Sequence, residues 1–224
     1  MALVGTSLAL LLVVPYPRVT RAGEAEIPTL PLALHVARSG DHPVVDAAWI
    51  ETEIAIAEQI FSVHGVHFKK VTERALEVPD SSAPPANSPH ARLESRADRD
   101  ALASELDAKV VNVFLVESLR DVDDPSLYRM GVYWQNRAHP EQRYVIVVAD
   151  AKPSVLAHEL GHYFGNPHSP VVNNLMSYHR SGDAIFLDDA QGRIIQRSAR
   201  TFLANHTLAP AAEWTVDPSL RTPL

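Results

Sequence analysis

The sequence predicts a single α/β or α+β domain built on a mixed β-sheet, and three observations carry that expectation. The 224 residues fit one domain with short extensions. Hydrophobic residues make up 46% and charged residues 21%, a balance that supplies a proper core. Strand-type and helix-type apolar spacings alternate in the order β-α-β, loop, α-β-β-β-α, irregular segment, final helix.

The elements follow in chain order. Met1 to Val14 carry no charge, and Leu8 to Val14 form an apolar run too short to span a membrane. Arg18 and Arg21 follow, and Thr20-Arg21-Ala22 offers a small-x-small cleavage site, so residues 1–22 read as a secretory signal. Leu32, Leu34 and Val36 alternate as a strand. Asp41 and Pro43 look like a helix start, Ile50, Ile54, Ala57 and Phe61 keep helical spacing, and Gly65 ends the helix. Val66 to Val71 is a second strand candidate. Residues 79–90, with Pro79, Pro84, Pro85 and Pro89, read as a surface loop. A short helix at Ala97 to Leu106 leads to Val110–Val116, apolar throughout except Asn112 and hence a central strand. Met130, Val132 and Trp134 alternate with Gly131, Tyr133 and Gln135, as in an edge strand, and Tyr144 to Ala149 is a buried strand. Pro153 falls in the first turn of the next helix. Asp188 and Gln191 have capping-box spacing ahead of Ile194, Ile195, Phe202 and Leu203. Residues 207–224, with three prolines, read as a tail.

Composition closes off several functions. A net charge of −7 with no Lys/Arg cluster argues against nucleic-acid binding. Cysteine is absent, which removes disulfides, thiolate ligands and cysteine nucleophiles. Any metal must be held by His, Asp, Glu or Tyr. An exported chain without cysteine suits a secreted or periplasmic bacterial protein better than a small animal domain.

The informative stretch is His158-Glu159-Leu160-Gly161-His162-Tyr163-Phe164-Gly165-Asn166-Pro167-His168. On a helix, His158 and His162 lie one turn apart on one face, so both imidazoles reach one ion. Glu159 is poorly placed as a third ligand but well placed to touch a water on the metal. Gly165 can take the left-handed conformation that ends the helix, and the turn returns His168 to the same ion. Three neutral imidazoles with one open position is a catalytic zinc pattern rather than a closed structural one. A chance H-E-x-x-H occurs in roughly 3% of such chains, and adding the glycine and third histidine lowers this to about one in ten thousand.

That string resembles the metzincin signature H-E-x-x-H-x-x-G-x-x-H at every fixed position. Metzincins also carry a downstream Met-turn, and Asn174-Leu175-Met176-Ser177-Tyr178 is similar to it, with Met176 as its structural methionine. The short link from His168 to Met176 resembles matrixins, whereas Met-Ser-Tyr resembles serralysins and astacins. The resemblance implies a twisted, mixed five-stranded sheet with an active-site helix and a small C-terminal subdomain ending in a helix, spanning 29–206. It implies a zinc-dependent endopeptidase with His158, His162 and His168 as ligands and Glu159 as general base. Tyr178 would be an oxyanion stabiliser, and the edge strand at Gly131, Val132, Tyr133 and Trp134 would bind extended peptide; the alternative for Trp134 is simple packing. The partner is then a protein or peptide substrate, with no nucleic acid and no stable membrane span. The matrixin propeptide cysteine is missing. Asp121, Asp123 and Asp124 could hold calcium, but an acidic loop is usually just solvated. Two rival functions share the motif: an inactive zinc-binding module, and hydrolysis of a non-peptide amide.

Overall fold

The computed structural model describes residues 25–76, 90–182 and 184–216. The expected signal at 1–22 and most of the expected loop at 79–90 lie outside the described residues.

Five strands form the sheet: β1 (Leu30–Val36), β2 (Phe68–Ala75), β3 (Val111–Val116), β4 (Gly131–Gln135) and β5 (Arg143–Val148). Their spatial order is β2-β1-β3-β5-β4. All neighbours are parallel except β4, which runs antiparallel to β5 at the edge. Every residue of β1 and β3 is buried, because helices cover both faces of this parallel sheet. A register shift at Leu32/Ala33 interrupts the β1–β2 pairing.

On one face lie α1 (Ala47–Ser62) and α3 (Val155–Tyr163), joined through aromatic contact of Phe61 with Phe164. The other face carries His35, stacked on Phe114, which meets Tyr144 edge-on. The short α2 (Arg96–Ala101) covers that layer through the Tyr144 hydroxyl, which donates to the Arg99 carbonyl, and through the Trp134 indole, which donates to Asp100. Beyond α3 comes α4 (Asp189–Ala204), whose capping box pairs Asp188 with Gln191 as the sequence suggests.

Three elements differ from expectation. Helix α1 starts at an Asp46 N-cap rather than near Asp41, because His42–Pro43 form a small antiparallel ladder with Arg38–Ser39. Pro153 lies before the helix rather than in its first turn, since α3 starts at Val155 after a left-handed Ser154. The stretch expected as a tail contains α5 (Ala211–Val216). Its Trp214 is 1% exposed, covers Ala33 and Val110, and donates to the Ala108 carbonyl. One large aromatic with a satisfied N–H outweighs the local prolines.

Candidate metal centre

Helix α3 presents His158 and His162 on one side, and its ends are fixed by groups distant in sequence. At its start the buried Glu53 of α1 accepts from the Ser154 and Leu156 N–H groups, both at 3.2 Å. A carboxylate there satisfies two donors that the helix leaves open and complements the positive end of its dipole. Burial pushes the Glu53 carboxyl above its usual range, against those two hydrogen bonds. At its end Gly165 adopts φ +97°. Its N–H donates to His162 O and that of Asn166 to Gly161 O, a Schellman closure that turns the chain toward His168.

The three imidazoles converge. His162 Nε2 lies 3.1 Å from both His158 Nε2 and His168 Nε2. His158 Nδ1 donates to the Leu175 carbonyl at 2.7 Å and His162 Nδ1 to the Asn166 carbonyl at 2.8 Å. A carbonyl only accepts, so both rings carry their proton on Nδ1 and turn bare Nε2 lone pairs toward each other. Burial lowers His158 and takes His162 down to about 4, so both stay neutral. Converging lone pairs on neutral rings repel unless a cation lies between them. Tetrahedral zinc ligated at about 2.0–2.1 Å sets its nitrogens roughly 3.3–3.4 Å apart. The spacing and the donor chemistry therefore fit zinc. Among the described residues this is the only cluster of three such side chains with a metal-binding spacing.

Glu159 lies between the helix and the sheet edge. Its Oε2 accepts from the Tyr133 N–H at 2.7 Å. Burial pushes its carboxyl up to about 8, with that hydrogen bond and the Arg129 charge pulling the other way. A Cβ at Gly131 would stand 2.9 Å from Glu159 Cγ, so the glycine is what lets the strand approach.

The Met-turn packs beneath the site. Met176 is fully buried, and a Cβ at Gly161 would fall 2.3 Å from its sulfur. Asn174 holds the turn: its Oδ1 accepts from Met176 N at 2.9 Å, and its amide is paired both ways with Gln191. Arg180 donates to the carbonyls of Asn174 and Leu175. Tyr178 is 70% exposed, with its hydroxyl 2.6 Å from His168 Nε2.

Strand β4 has one open edge. Val148 donates to Met130 O and Asn136 to Gln142 O, so by alternation the even residues bond to β5. The backbone groups of Gly131, Tyr133 and Gln135 face outward, and of these the Tyr133 N–H is taken by Glu159. The Trp134 side chain corrects one expectation. It is buried against α2 beneath the Arg99 and Arg96 guanidiniums and does not line the edge. In the acidic loop, Asp121 accepts from the Asp123 and Asp124 N–H groups and pairs with Arg129.

Sequence reasoning missed Glu53 and Arg180, and it named Gln191 only as half of a capping box, not as the partner of Asn174. Glu53 left a trace: it sits at helical spacing among Ile50, Ile54 and Ala57, a charge inside an apolar stripe.

Comparison with solved structures agrees with this architecture. Metalloproteinase-II from Bacteroides fragilis superposes with a TM-score of 0.52 at 16% identity, over 80% of this chain and 55% of that one. Mature mirolysin from Tannerella forsythia, solved with a cleaved peptide, gives 0.56 at 11% identity, over 87% of this chain and 100% of that one. The fold is metzincin-like. This chain thus spans about half of the Bacteroides protein and all of mirolysin. No protein-family model and no curated protein matches the sequence. Within the metzincin-like fold, His158 and His162 sit on the helix that packs under β4 and β5, with His168 just beyond it, and no described helix is long and apolar enough to cross a membrane.

Proposed function

We propose that this chain is a zinc-dependent endopeptidase. The observation that carries the reading is the convergence of three imidazoles, two of them with their protons held on backbone carbonyls, with a buried carboxyl beside them and a strand edge above. His158, His162 and His168 would hold the zinc. When bound, zinc polarises the scissile carbonyl and acidifies the attacking water.

The remaining chemistry belongs to the chain. Extended peptide adds to the open edge of β4 through the outward backbone groups of Gly131 and Gln135 and the Tyr133 carbonyl, while the Tyr133 N–H holds Glu159. Val132 belongs to the same strand as spacer, and Trp134 contributes backbone alone. Glu159 takes the proton of the attacking water and delivers it to the leaving amine. Its raised affinity for a proton in a buried setting suits that exchange. The Tyr178 hydroxyl donates to the oxyanion as it forms. Met176 packs beneath the ligands and moves no proton. The catalytic unit includes α5, and residues 1–22 direct export, so the N-terminus of the exported protein should fall near Gly23.

A mixed peptide library, digested with and without a zinc chelator, tests the reading. Cleavage inside peptides that stops with chelator and returns with zinc is expected. No cleavage by zinc-replete protein would refute the peptidase and leave a binding module or another amide as substrate. A His168→Ala variant that kept full zinc affinity would refute the three-histidine site.

A further inference from the structure

We infer that Arg129 is a specificity-determining residue that recognises a carboxylate on the substrate. The inference rests on the peptidase reading above and adds its substrate class.

Four observations place the residue. Arg129 stands two residues before Gly131, where the strand closes on Glu159. Its backbone N–H is fixed to Leu119 O at 2.8 Å. Its Nε donates to Asp121 Oδ2, whose side chain is only 5% exposed and is itself locked by two backbone N–H groups. The Arg129 side chain is half exposed, and among the described residues its Nη1 and Nη2 have no hydrogen-bond partner.

The guanidinium is therefore oriented by one buried acid while the other half of its fork faces solvent. Its charge acts on Glu159, on His168 and on Tyr178, which together bound the reacting centre. Among the described residues no other arginine or lysine acts on both His168 and Tyr178. A free planar pair of N–H donors facing solvent fits a carboxylate in two parallel hydrogen bonds. The whole chain carries −7, so general electrostatics repel acidic peptides and only a local cation admits one. The carboxylate is either an Asp or Glu side chain near the scissile bond or the free C-terminus of a short peptide.

Matched peptides decide the question. One set places Glu or Gln at each position around the cleaved bond, and a second carries a free or an amidated C-terminus, with kcat/KM read for each pair. Zinc-replete wild type should prefer one carboxylate by roughly five- to twentyfold, the size of a charge-assisted pair at a partly exposed site. The first set locates a side-chain partner, and the second locates a C-terminal one. The ratio should fall to about one in Arg129→Gln and below one in Arg129→Glu. If those variants fail to fold, raising salt on wild type should shrink the preference toward one. A wild-type ratio near one in every pair overturns the inference and leaves the peptidase standing. So does a preference that survives Arg129→Gln or resists salt. Wild type that cleaves no peptide overturns both.

Discussion

Replacing Gly161 by alanine tests how the helix and the Met-turn are coupled. At an ordinary helix position this change stabilises by about 1 kcal/mol. Here the added methyl would lie 2.3 Å from Met176 Sδ and 3.1 Å from its Cε. Non-bonded heavy atoms rest at about 3.5–4.0 Å, so the sulfur must retreat by more than about 1 Å. It has nowhere to go without moving the turn, because Met176 is fully buried and Asn174, Gln191 and Arg180 pin that turn. Overpacking costs about 1–3 kcal/mol, so the net effect of Gly161→Ala is a loss of about 0–2 kcal/mol. A double-mutant cycle gives the sharper number. Met176→Ala alone should cost about 2–5 kcal/mol. In the double variant the clash is gone and the new methyl fills part of the void, so the pair should be more stable than additivity by about 1–3 kcal/mol. Urea unfolding in the presence of chelator measures this without metal linkage. Zinc affinity should fall about 10–100-fold in Gly161→Ala, since the turn also carries the Leu175 carbonyl that orients His158. Additivity within about 0.5 kcal/mol, or an alanine variant about 1 kcal/mol more stable than wild type, would refute the packing argument.

The remaining predictions concern the chemistry. Glu159→Gln should keep zinc and lose about 10²–10⁴ in kcat, and residual turnover within about tenfold of wild type would remove Glu159 as the base. Tyr178→Phe should lower kcat by about 10²–10³ with little change in KM, whereas near-normal turnover would leave the hydroxyl without a role. Metal-free protein should be most stable near neutral pH. His35 and His162, lowered by burial to about 4, are neutral when folded and protonated when unfolded, so stability falls as pH drops below 6.5. Glu159, raised by burial to about 8, keeps its proton when folded and loses it when unfolded, so stability also falls as pH rises toward 8. Chelated Glu159→Gln should show a flatter alkaline limb, and a limb of unchanged slope would contradict the assignment.

Periodicity made the sheet legible. Strands β1, β3 and β5 are apolar because both faces are covered, and β4 alternates because it is the edge. The cluster was legible because a helix and a glycine turn compress its histidines into eleven residues. What supports it was not. The Glu53 carboxylate caps a helix 101 and 103 residues downstream, and no local rule pairs those positions. Gln191 reads locally as half of a capping box, yet its side chain also closes on Asn174. The α5 segment misled because prolines and a short apolar run describe a tail equally well. Trp214 finds its partners only once β1 and β3 are side by side.

The same hydrogen bonds that make the site ready for a metal make it uncomfortable without one. Two Nδ1 protons are committed to backbone carbonyls, so His162 Nε2 has no proton to share with either neighbour 3.1 Å away. The two helical histidines cannot relieve this by rotating, since each would abandon a carbonyl acceptor in a buried setting at a cost of about 1–3 kcal/mol. His168 is different. It is exposed, lies outside the helix and meets the Tyr178 hydroxyl, which can give its Nε2 a proton donor in place of a cation. The tension is therefore borne by the helical pair and relieved on the His168 side. On the proposed reading that asymmetry would give the three histidines distinct parts: His158 and His162 would form a rigid half-site with its lone pairs fixed in advance, and His168 with Tyr178 the adjustable half. A bound cation would gain most from the fixed half, because its orientation is settled by folding, and His168 would then no longer need the Tyr178 hydroxyl as a partner, which would leave that hydroxyl available to substrate.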